Sequence, residues 1–180
     1  LTMELLDGQV LQTRAKTLGA AGSPERTAEV LRVGWHVADA LAYIHERGLV
    51  HRDLKSANVI VLPDGRVKLF DFGTAHVRDP LEQITQPGEF VGTFAYASPE
   101  QVASAPVDAR SDLYSFGVVM YRLLTGKPVF EAKEPHELAR MHVKETPRPM
   151  RELVPELPEE LDELILRMLA KQPGKRPQSA

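Results

Sequence analysis

The sequence predicts an α+β fold that is mostly helical and organised around one short β-hairpin. Three observations carry that expectation. A helical apolar repeat occupies residues 23–48, two β-rich runs flank a Pro-Asp-Gly turn at residues 59–70, and a nearly all-apolar segment at residues 113–124 runs up to a glycine.

Taken in order, residues 9–20 are predicted to form a short helix. Ser23 followed by Pro24 is a helix start, with serine as N-cap and proline at the first helical position, where its missing N–H leaves nothing unpaired. Gly48 is the matching stop. Between them Val30, Val33, Val37, Leu41 and Ile44 recur at helical spacing, so one face of this long helix is expected to pack on a core. Val59-Ile60-Val61-Leu62, Pro63-Asp64-Gly65 and Arg66-Val67-Lys68-Leu69-Phe70 read as strand, turn and strand. Counting outward from that turn sets Asn58 beside Phe70 and Asp71.

Residues 74–97 lack periodicity and contain Pro80, Pro87, Gly88 and Gly92, which predicts a long loop. Ser98-Pro99-Glu100-Gln101 fits a capping box. Residues 113–124 are apolar nearly all round, which predicts a helix enclosed by protein and ended by Gly126. Pro135 opens a further helix over residues 135–145, and Leu161, Leu164, Ile165, Met168 and Leu169 form the apolar stripe of the last one.

A length of 180 residues, 43% hydrophobic and 26% charged, supports one domain with a core. The net charge of −3 offers no basic field, so no nucleic-acid partner is expected. The absence of cysteine excludes disulfides and thiolate zinc sites and fits a reducing, cytoplasmic location. The longest apolar run, residues 116–121, is stopped by Arg122, far short of the roughly 20 residues of a membrane-spanning helix.

The chemistry concentrates in His51-Arg52-Asp53-Leu54-Lys55-Ser56-Ala57-Asn58 and, across the hairpin, Asp71-Phe72-Gly73. Asp53, on the loop before the hairpin, is placed to accept a proton from an incoming hydroxyl. The Asn58 amide and the Asp71 carboxylate are hard oxygen ligands, and a site with only two of them leaves Mg²⁺ room for waters and phosphates. Lys55 can neutralise a transferring phosphoryl group. An isolated Asp53 is better read as a loop cap, and an isolated Asn58 or Asp71 as a turn residue; their joint placement reverses that reading.

These motifs closely resemble those of eukaryotic-like serine/threonine protein kinases of the bacterial Hanks type. The loop fits H-R-D-L-x-x-x-N and Asp-Phe-Gly is intact. Gly92-Thr93-Phe94-Ala95-Tyr96-Ala97-Ser98-Pro99-Glu100 resembles the end of a kinase activation segment, with Ser98 in place of the usual alanine. Asp112-Leu113-Tyr114-Ser115-Phe116-Gly117 resembles the start of the buried central helix, and Arg176-Pro177 the late arginine that pairs with Glu100.

The resemblance implies a protein-kinase-like large (C-terminal) lobe with a short catalytic hairpin and no small lobe. Residues 1–8 resemble the inter-lobe hinge, where Glu4 and Leu6 offer backbone groups to adenine over an apolar floor of Val59, Ile60 and Val61. No glycine-rich loop or Val-Ala-Ile-Lys strand precedes it, so residues 1–180 are expected to be hinge and C-terminal lobe only, truncated at both ends. Such a piece would need the missing N-terminal lobe in cis and be nearly inactive alone. The implied activity is ATP-dependent phosphorylation of serine or threonine on protein substrates, with ATP and Mg²⁺ as cofactors.

In that scheme Asp53 orients the acceptor, Lys55 stabilises the γ-phosphoryl group, Thr93 hydrogen-bonds near both, and Asn58 and Asp71 hold the metal. Arg52 reads a phosphate on Thr85, with His76 beside it; Glu100 pairs with Arg176; and Asp112 accepts hydrogen bonds from the catalytic-loop backbone. His51 is structural, and His36, His45, His136 and His142 are surface or satisfied core residues. Two alternatives stand beside this reading: a pseudokinase-like scaffold without catalysis, and a small-molecule phosphotransferase, which the peptide-platform resemblance of residues 92–100 disfavours.

Overall fold

Ser23 caps the longest helix, its side chain accepting the Arg26 N–H at 3.2 Å, and Pro24 follows as the first helical residue. The structure, a computed structural model, describes residues 7–72 and 94–180. Their elements are β1 (Gln9–Val10), α1 (Leu11–Arg14), α2 (Pro24–His45), β2 (Val59–Val61), β3 (Val67–Leu69), α3 (Pro99–Val102), α4 (Ala109–Thr125), α5 (Pro135–Lys144) and α6 (Glu159–Met168), joined in places by single 3₁₀ turns.

Helix α2 buries Val30, Val33, Val37, Leu41 and Ile44, the predicted face, against α4. Gly34 lies at that crossing, where a β-carbon would come within 2.7 Å of the Met120 methyl, so only glycine admits so close an approach without repacking. Beyond His45 the chain leaves the helix through a turn closed at Gly48, whose N–H donates to the His45 carbonyl and whose φ of +70° suits a residue without a side chain.

Helix α4 is the centre of the core. Asp108 caps it by accepting the Arg110 N–H at 2.9 Å, and Gly126 ends it in the left-handed conformation. Between them nearly every side chain is buried, and the two enclosed tyrosines keep their hydroxyls satisfied: Tyr114 meets His142 Nδ1 at 2.9 Å, and Tyr121 donates to the Arg148 carbonyl at 3.0 Å.

The β-strands form an antiparallel three-stranded sheet in the order β1-β2-β3. Val59 pairs with Leu69, Ile60 with Lys68 and Val61 with Val67, the register counted from the Pro-Asp-Gly turn. Asp64 closes that turn by accepting the Arg66 N–H at 2.9 Å, and Arg32 of α2 reaches the Gly65 carbonyl at 2.9 Å, fixing the tip of the hairpin to the helical layer.

Three expectations are corrected. Residues 9–20 do not form one helix: Gln9 and Val10 pair with Val61 and Ile60 as an edge strand, and only residues 11–17 are helical, in an α turn followed by a 3₁₀ turn. In the apolar stripe of α6 only Leu164 is out of place: it is 44% exposed, whereas Leu161 packs against the core and Ile165, Met168 and Leu169 are buried, joined there by Asp162, which accepts the Met150 N–H at 2.8 Å. Val59 and Val61 point into the core rather than forming an adenine floor, and strand alternation leaves Ile60 on the opposite face.

Candidate active site

Asp112, in the first turn of α4, organises the catalytic loop. It is 1% exposed, and both its oxygens are engaged: Oδ1 accepts the Arg52 N–H at 2.8 Å, while Oδ2 accepts the His51 N–H at 2.8 Å and faces His45 Nε2 at 2.8 Å. An ionised carboxylate only accepts, so His45 presents a protonated Nε2 to it. Arg52 adopts φ +66°, a conformation that is costly for a residue with a long side chain and persists only where its surroundings over-determine it.

His51 ties this loop to the far end of the hairpin. It is fully buried, with Nε2 3.1 Å from the Phe70 carbonyl, Nδ1 accepting the Asp53 N–H at 3.3 Å and its ring 4.8 Å from that of Phe72. These partners select the Nε2–H tautomer. Burial lowers its pKa, outweighing the opposing pull of Asp112 and Asp53, so the imidazole is neutral and structural.

Asp53 sits in a clamp. Lys55 Nζ donates to its Oδ2 at 2.8 Å, and Asn58 Nδ2 donates to the same oxygen at 3.0 Å and to the Asp53 carbonyl at 2.9 Å. With its nitrogen engaged twice on Asp53, the buried Asn58 turns its amide oxygen away from that residue. The Phe70 N–H meets the Asn58 carbonyl at 3.2 Å, which puts Asp71, exposed and at φ +54°, next in line beyond the strand pair. Among the described residues no group of three or more His, Cys, Asp or Glu is arranged to hold a metal ion. An amide oxygen and one carboxylate are the donor set that suits a cation completing its shell with water and phosphate, which is the preference of Mg²⁺.

Glu100 of α3 and Arg176 form a buried bidentate pair, at 2.6 Å and 2.8 Å. Arg52 is exposed beside Asp53, and Ile60 lies on β2 facing away from the core. Glu4, Leu6, Thr85 and Thr93, together with His76 and the loop expected before residue 94, lie outside the described residues.

Two contacts were not expected from the sequence. His45, read as a surface or satisfied core residue, is nearly buried and is specifically a partner of Asp112; the signal is its place in the last turn of α2, six residues before His51. Gln101, read only as part of a capping box, also donates Nε2–H to the Arg52 carbonyl at 2.6 Å.

A family model described as the protein kinase domain matches residues 1–180. The chain belongs to the protein kinase family. Among its relatives is the probable serine/threonine-protein kinase SCO3848 of Streptomyces coelicolor, 42% identical over 181 aligned residues that cover 100% of this chain and 26% of that protein. The serine/threonine-protein kinase PknB of Mycolicibacterium smegmatis is 39% identical over 100% of this chain and 28% of its own length. The chain thus spans little more than a quarter of these curated kinases. The crystal structure of the Mycobacterium tuberculosis PknI kinase domain superposes with a TM-score of 0.69 at 30% identity, over 98% of this chain and 59% of that one. The mostly helical α+β architecture is therefore that of the protein kinases. Among the described residues no helix is long and apolar enough to cross a membrane.

Proposed function

We propose that this chain carries the catalytic centre of a serine/threonine protein kinase, which transfers the γ-phosphoryl group of ATP to hydroxyls on protein substrates. The clamp on Asp53 carries the reading. Lys55 and Asn58 both grip Oδ2, which fixes the direction in which Oδ1 faces an incoming hydroxyl. Lys55 also sets a positive charge beside the point where negative charge develops on the transferred group.

Asn58 and Asp71 are the residues that would hold Mg²⁺, which would supply positive charge to offset that of the ATP phosphates. Ile60 offers an apolar contact to adenine, with backbone groups of Glu4 and Leu6 at its edge. Thr93 is assigned the role of hydrogen-bonding near Asp53 and Lys55, and the sequence Gly92-Thr93 together with Lys55 favours serine and threonine acceptors over tyrosine. Arg52, exposed next to Asp53, is assigned to a phosphate on Thr85, which a guanidinium can bind through two parallel hydrogen bonds.

Coverage of 59% of the PknI kinase domain supports assigning residues 1–180 to hinge and C-terminal lobe. Because the phosphoryl donor is ATP, we place the reaction in the cytoplasm. The test is transfer of labelled γ-phosphate from ATP to a serine- and threonine-containing protein by the full-length protein. Transfer that requires Mg²⁺ and is lost in Asp71→Asn supports the reading; transfer indifferent to Asp71→Asn contradicts it.

A further inference from the structure

We propose that Gln101 is a positioning residue for phosphoryl transfer, an amide strut that locks the catalytic loop to helix α3; the inference rests on the kinase reading above. The two ends of its side chain do different things. Oε1 accepts from the Ser98 N–H at 3.0 Å and from the Ser98 hydroxyl at 3.1 Å, completing the capping box. Nε2 points the other way and donates to the Arg52 carbonyl at 2.6 Å, a contact between groups 49 residues apart in sequence.

Helix capping accounts for the first contact only. A capping box is satisfied by either glutamate or glutamine at its third position, because the box uses the side-chain oxygen alone. Only the amide supplies a donor for a carbonyl oxygen. Gln101 therefore does something at this position that the cap does not require.

What it holds is the peptide unit preceding Asp53. Arg52 lies at φ +66° and must be restrained from both sides to stay there. Its N–H is held by Asp112 of α4 and its carbonyl by Gln101 of α3. Helix α3 is itself anchored, since the neighbouring Glu100 is pinned by Arg176 and accepts from the Ser111 hydroxyl. The chain of contacts thus runs from the buried ion pair through Gln101 to the backbone next to the base, and the strut sets the orientation in which Asp53 leaves the loop.

The discriminating variant is Gln101→Glu in the full-length protein, which keeps the oxygen that closes the box and replaces the donor with a second acceptor facing the Arg52 carbonyl. Gln101→Met, which loses both functions, is the companion. The expected result is that Gln101→Glu retains the parental Tm but loses roughly tenfold or more in kcat, with KM for ATP unchanged, because a displaced base costs rate and not nucleotide affinity. Amide hydrogen exchange at residues 51–55 quickens in both variants, and Gln101→Met alone also loses Tm. Parental kcat in Gln101→Glu, or unchanged exchange at residues 51–55, overturns the inference. If the parent itself transfers no phosphoryl group, the kinase reading falls separately, and exchange at residues 51–55 alone decides the strut: faster sustains it, unchanged removes it.

Discussion

Arg176 uses all five of its N–H donors, two of them on Glu100: Nη1 meets Oε1 at 2.6 Å and Nη2 meets Oε2 at 2.8 Å, while the Ala170, Arg110 and Lys171 carbonyls take the rest. Removing one member leaves a buried charge without its counterpart. Arg176→Ala is expected to cost about 3–5 kcal/mol of unfolding free energy, measured by urea titration, whereas a double Arg176→Met, Glu100→Leu variant should lose less than Arg176→Ala alone.

The same pair sets an acid limit. Burial alone would raise the Glu100 pKa, but hydrogen bonds from Arg176 and Ser111 hold it below its ordinary value of 4.5. A depressed folded value means that the unfolded chain takes up the proton first. This contribution is present above about pH 4.5 and is lost as pH falls through the folded value.

His142 should make stability sensitive at milder acidity. Burial, and then the nearby Lys171 ammonium, lower its pKa from 6.5 to about 4. Between those values the folded imidazole stays neutral while the unfolded one protonates, so stability is complete above about pH 6.5 and declines toward about pH 4. Unfolding free energies at about pH 7 and about pH 5 should differ by on the order of 2 kcal/mol through this group, and His142→Leu should flatten that slope.

The exposure of Leu164 on α6 is open to a simple check. Leu164→Glu should change stability by less than about 0.5 kcal/mol, because the leucine faces solvent. Ile165→Ala, one position on and 2% exposed, should cost about 2–5 kcal/mol. Equal losses in the two variants would return Leu164 to the core.

Legibility followed the range of the interactions. Ser23, Pro24 and Gly48 mark α2 through local capping, and the turn at residues 63–65 sets the strand register by counting, so both were readable along the chain. Strand β1 was not, because two residues carry no periodicity and pair only where β2 presents its edge. The burial of Asp162 on α6 was not readable either, since its partner, the Met150 N–H, lies 12 residues away. At the site, the order of residues 51–58 and 71 was legible, as was the placement of Asp112 and of Glu100 with Arg176. The links made by His45 and Gln101 were hidden because each residue already had a sufficient reading, as a surface or satisfied core histidine and as half of a capping box.

His45 yields a prediction of its own. His45→Phe removes the donor to Asp112 Oδ2 and should lower kcat of the full-length protein several-fold, while His45→Gln, which restores an N–H, should recover part of the loss. Equal kcat in the two variants would reduce His45 to packing.

The central claim is that Asp53, clamped by Lys55 and Asn58, is the group that receives the substrate hydroxyl. Its most direct test is the kcat of phosphoryl transfer from ATP to a serine- or threonine-containing protein, compared between the full-length protein and its Asp53→Asn variant at equal Tm. A fall of at least about a hundredfold is predicted, in line with the loss of a positioned base; a variant that turns over at the parental rate would contradict the account.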